Sequence, residues 1–93
     1  MLSKTPMDFK NVNIEDNDKE ILRLGMIAEL DAINLYEQLI ATTNNKDLQN
    51  ILLDIAKEEK THMGEFQTLL LKLDKEQTKE LEAGKKEVEK IMK

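Results

Sequence analysis

Apolar residues return along this chain at spacings of three and four in two long runs, which predicts two amphipathic helices. In the first run Leu22, Met26, Glu29, Ile33, Tyr36 and Ile40 follow steps of 4, 3, 4, 3 and 4. In the second, Leu48, Leu52, Ile55, Glu59, His62, Phe66, Leu69 and Leu73 follow 4, 3, 4, 3, 4, 3 and 4. Asn17 followed by Glu20 reads as a capping-box variant, so the first helix is expected from about Asp18 to about Thr43. Thr43, Asn44 and Asn45 form a polar break, and either Asn can cap a second helix from about Lys46 to about Lys72. Asp74 with Gln77 opens a third, mostly Lys and Glu segment towards Lys93, carrying a thin stripe of Leu81, Val88, Ile91 and Met92. The chain thus divides into a flexible lead-in over 1–16, a hairpin over 17–73 and a charged C-terminal helix over 74–93.

Each main helix should be roughly 39 Å long at 1.5 Å per residue, and so short a link makes the pair antiparallel. The expected fold is all-α, a two-helix hairpin with a short third helix. Further apolar positions, Ile21, Leu24, Ala28, Leu35 and Leu39 in the first helix and Leu53, Met63 and Leu70 in the second, widen both stripes. Two helices cannot cover that much apolar surface between themselves. A chain too small for its own core associates, and a second copy completing a four-helix bundle is the simplest expectation.

Composition narrows the chemistry. With no Cys, there is no disulfide framework, thiolate zinc site or iron–sulfur cluster to consider. Carboxylates and the single histidine, His62, are the good metal ligands that remain. A net charge of −5 argues against a nucleic-acid partner and mildly favours cations. No run approaches the ~18 apolar residues of a membrane span. The chain therefore reads as cytoplasmic, or as housed in a compartment assembled in the cytoplasm.

Glu29, Glu59 and His62 stand where the stripes call for Leu. Burying such groups unpaired costs several kcal/mol each. If the turn centres near Asn45, Glu29 falls level with the gap between Glu59 and His62, so three potential ligands converge at one depth. The motif Glu59-x-x-His62 puts a carboxylate and an imidazole on one helix face. Helical di-iron proteins use one Glu from each of two helices and Glu-x-x-His from each of the other two. One chain holds half that set, and a two-fold pair holds all of it. Oxygen-rich ligation with one His per ion suits iron or manganese. Glu supplies twelve of the 93 residues, so the motif alone is weak, and its phase and depth give it weight. Tyr36, two turns from Glu29, stands either beside the site or in the core. Asp31 reads as a solvated charge or as a group that feeds ions inward.

The stretch Ala28-Glu-Leu-Asp-Ala-Ile-Asn-Leu-Tyr36-Glu, followed by Glu58-Glu-Lys-Thr-His62, resembles the encapsulated ferritins, relatives of the rubrerythrin and ferritin superfamily. The resemblance covers about residues 18 to 75. It implies that Glu29, Glu59 and His62 bind iron, two ions per dimer interface, with Tyr36 beside them. It also implies ferroxidase activity with oxygen, a ring-like assembly of dimers, and work inside an encapsulin shell, as cargo or as a domain fused to the shell protein. Members with an outer ion-uptake site carry extra acids around the first ligand; here position 28 is Ala and Asp31 remains. The segment Lys85 to Lys93 does not read as a Gly/Leu-rich shell-targeting peptide.

Two other readings stay open. One is a rubrerythrin-like centre that reduces peroxide, although no Cys-rich electron-transfer module accompanies it. The other is a metal-free helical oligomerisation module whose buried acids set its register.

Overall fold

A computed structural model describes residues 14–93, with side chains from residue 16 onward. Three helices follow in order, α1 over Ile14–Ile40, α2 over Lys46–Leu73 and α3 over Lys75–Ile91, and no strand occurs among the described residues. Most of the expected lead-in lies outside the described residues, but 14–16 are already helical. α1 runs straight through Asn17, whose Oδ1 has no hydrogen-bond partner, so the capping signal read there goes unused. The other two caps are made. Asn45 accepts from the Leu48 N–H at 3.1 Å, and Asp74 accepts from the Gln77 N–H at 2.9 Å. Each satisfies one of the N–H groups that a helix start leaves without a partner.

Among the described residues α1 and α2 pack along their length, whereas the backbone of α3 comes close to α2 and not to α1. Were α3 to continue along α2, the two would span roughly 68 Å at 1.5 Å per residue. The largest extent is 46 Å, so the chain turns sharply at Asp74. That residue closes α2 by donating its N–H to the Leu70 carbonyl at 2.8 Å. Its carboxylate opens α3 and accepts from Arg23 Nη2 of α1 at 2.9 Å. The Gln77 N–H foremost, helped by Arg23 and Lys19, holds the Asp74 carboxyl below its ordinary value, against an upward push from burial that is second only to the Gln77 bond.

A carboxyl held low in the folded state stabilises it fully above the unfolded value, about pH 4. That stabilisation fades as pH falls through the lower folded value. We expect Asp74→Asn to melt earlier than the parent at pH 6, and the gap between their thermal midpoints to close as pH drops below about 4. A gap independent of pH would show that the charge contributes nothing.

Burial in the single chain is thin. Among the described residues, Leu22 and Ile33 of α1 and Ala56 and Leu70 of α2 are the buried apolar side chains. Thirteen large apolar side chains among the described residues stay exposed, including Ile21, Leu39, Leu48, Ile51, Leu69 and Leu73. On α2, Leu48, Ile51, His62, Leu69 and Leu73 are spaced by 3, 11, 7 and 4 and so form one stripe. Ile21 and Leu39 on α1 are eighteen residues, or five turns, apart and share a face in the same way. Ile21, Leu22, Leu69 and Leu73 line one shallow hollow together, which joins the two stripes into a single bare apolar face. A second hollow, on another side, is lined by Met26, Ile27, Leu30, Leu70, Leu71 and Leu81. The expected excess of apolar surface over what two helices can cover is therefore present.

Candidate metal centre

Glu29 comes from the middle of α1, and Glu59 and His62 from the middle of α2. The antiparallel register set by the short 41–45 link brings them level. One ligand atom from each of the three lies within 4.8 Å of the others. His62 Nδ1 stands 3.7 Å from Glu29 Oε2 and 3.7 Å from Glu59 Oε2. Those distances are too long for hydrogen bonds. They match ligand atoms around one shared ion, which sit roughly 3–4.2 Å apart when each is ~2.1 Å from a divalent metal. Glu29 Oε2 is buried and has no hydrogen-bond partner, a cost that a native fold rarely carries without an ion or water to offset it. The donor set and its orphaned oxygen thus fit a metal ion.

The cluster is closed on one side only. The side chains of Glu29 and Glu59 are 18% and 19% exposed, whereas that of His62 is 46% exposed. His62 belongs to the apolar stripe of Leu48, Ile51, Leu69 and Leu73, so the cluster opens onto the bare face and not onto the charged back of α2. Three protein ligands are fewer than an ion that prefers six would take, and the open side is where the rest would come from.

The two remaining candidates are not drawn into the cluster. Tyr36 is half-buried on the Glu29 face, and its hydroxyl hydrogen-bonds to none of the three. Asp31 lies on the reverse of α1, two residues beyond Glu29, outside the group of converging ligand atoms. Sequence reasoning passed over Gly25, which lies against the Phe66 ring one turn from the cluster. A glycine inside a long helix, one turn before a candidate ligand, was the available signal.

The profile of the family described as rubrerythrin matches residues 20–93. The chain is 57% identical over 72 residues to the ferritin-like–encapsulin shell fusion protein of Pyrococcus furiosus, covering 77% of this chain and 21% of that protein. It is 46% identical over 56 residues to the encapsulin nanocompartment cargo protein EncC of Myxococcus xanthus, covering 60% of this chain and 43% of that one. The chain therefore spans less than half the length of either curated relative. Among solved structures it is similar to the encapsulated ferritin domain from Pyrococcus furiosus, with a TM-score of 0.82 and 47% identity over 97% of this chain and 92% of that one.

Proposed function

We propose, for a chain that belongs to the rubrerythrin family of ferritin-like proteins, that it is a ferroxidase whose centre forms between two copies. The observation that carries this reading is the half-open cluster of Glu29, Glu59 and His62 on a bare apolar face. Rotating one copy onto another about a two-fold axis covers Ile21, Ile51, Leu69 and Leu73. The same rotation sets two such clusters against one another and supplies four carboxylates and two imidazoles, the donor set of helical di-iron proteins.

In the paired state the carboxylates of Glu29 and Glu59 offset the charge of two Fe(II) substrate ions, and His62 holds one ion on each side. The surrounding Leu and Ile exclude bulk water. Two Fe(II) release two electrons as they become Fe(III), and these reduce oxygen with two protons to hydrogen peroxide. A second pair of Fe(II) and two further protons take that peroxide to two waters. A pair of such hairpins is too small to enclose a mineral, so on this reading the Fe(III) is stored elsewhere. The names of the two curated relatives support an encapsulin shell as the place where that happens, with this chain inside it.

Native mass spectrometry with and without Fe(II), paired with metal analysis, tests the reading. Two irons per pair of chains, with pairing strengthened by iron, is the expected result, since an ion that binds the assembled state alone stabilises it by mass action. No retained iron and an unchanged oligomer would return the cluster to a metal-free polar network that sets register. Following Fe(II) consumption with oxygen and with peroxide decides the oxidant, and faster turnover with peroxide would make the centre a peroxide reductase.

A further inference from the structure

Gly25 lies in the interior of α1, where a glycine weakens the helix and no turn requires one. Its φ is not positive. What it provides is room. A Cβ built there would stand 2.9 Å from Phe66 Cζ and 3.0 Å from Phe66 Cδ1 and Cε1, closer than packed carbons tolerate. The Phe66 ring thus crosses from α2 to rest on the backbone of α1. Gly25 is one turn before Glu29, and Phe66 is one turn after His62. In an antiparallel pair those two steps run the same way, so the contact lies directly below the ligand cluster. Above the cluster both helices are buried, at Ile33 on α1 and at Ala56 on α2.

We propose that Gly25 and Phe66 form a size-matched pair that positions the centre, fixing the separation of α1 and α2 where Glu29 must meet Glu59 and His62. This rests on the reading of that cluster as a metal centre. Glu29 is the sole ligand from α1, so any widening of the seam falls on its reach to the other two. Metal–ligand distances tolerate about 0.2 Å, and a site loosened by ~1 Å loses most of its function. A methyl at position 25 would force the ring out of its seat by several tenths of an ångström or spread the helices by that much. Either outcome disturbs the floor of the site without touching a ligand.

Co(II) is a suitable probe, because its visible absorption reports ligand geometry and its titration reports affinity with no turnover needed. In Gly25→Ala we expect Co(II) affinity to fall about tenfold or more, the range for residues that support ligands, with a changed band shape. The double variant Gly25→Ala with Phe66→Leu should recover affinity to within roughly threefold of the parent, since the two changes share one space. Parent-like affinity and band shape in Gly25→Ala would overturn the proposal. Should that variant fail to fold, Phe66→Leu alone, which adds no clash, should still weaken Co(II) binding several-fold, and parent-like binding there would overturn it equally. A parent protein that binds no Co(II) would instead sink the metal reading itself, with this pairing beneath it.

Discussion

On the proposed reading, replacing Glu59 by Ala should lower the initial rate of Fe(II) oxidation by oxygen at least ~100-fold, while far-UV circular dichroism keeps the helical signal. Substituting groups that merely support ligands costs 10–100-fold, so losing a carboxylate from the ligand set itself starts at the upper end of that range. His62→Ala should have the same effect, since His62 Nδ1 faces both carboxylates at 3.7 Å. The stability of these variants should depend on metal in a diagnostic way. Without metal, two carboxylates and an imidazole share one pocket with no hydrogen bond between them, and Ala at position 59 removes a like-charge neighbour of Glu29. The metal-free variant should be as stable as the parent or slightly more so. With Fe(II) added under anaerobic conditions the parent gains stability and the variant does not. Parent-like oxidation rates in both variants would remove Glu59 and His62 from the chemistry altogether.

Leu69→Glu should turn the proposed assemblies into single chains and abolish iron oxidation along with them. Leu69 is 53% exposed in the isolated chain, and a change at such a position in a monomer is usually within about 0.5 kcal/mol of neutral. On the proposed shared face it places one uncompensated carboxylate per copy in an apolar contact, a penalty of several kcal/mol each. Sedimentation or light scattering reads the loss of assembly, and an iron assay on the same sample reads the loss of the centre. Thr61→Glu serves as the control, at the depth of the site but on the solvated back of α2, and should leave both unchanged. If Leu69→Glu stayed assembled and active, the copies would meet through some other surface.

The parts of the fold that local chemistry decides were legible in the sequence. Asn45 and Asp74 cap their helices as short polar residues at a helix start do, and Glu29, Glu59 and His62 converge because periodicity and a short link leave them little choice. What the sequence could not give is what depends on the neighbour. α1 begins before Asn17, since a capping residue is equally content to be passed over when the helix extends upstream of it. The stripe through Leu48, His62, Leu69 and Leu73 was visible, but Ile51 and Ala56 were not read into it, and the division into a buried edge at Ala56 and Leu70 and a bare edge at Ile51, Leu69 and Leu73 exists only once α1 is in place. Gly25 drew no attention in the sequence because its partner, Phe66, is forty-one residues away. Tyr36 shares the face of Glu29, and periodicity reports the direction of a side chain without reporting whether its hydroxyl will find anything to bond.

The outward-facing His62 has a consequence for when the protein works. On the proposed reading a lone chain owns half a centre, so at low abundance the number of complete centres rises with the square of the chain concentration. Halving the supply of chains leaves about a quarter of the activity. A newly made or stray copy is therefore silent, and it cannot turn oxygen into peroxide before it has company. Pairing acts as a safety interlock, set by nothing more than which side of one helix was left uncovered.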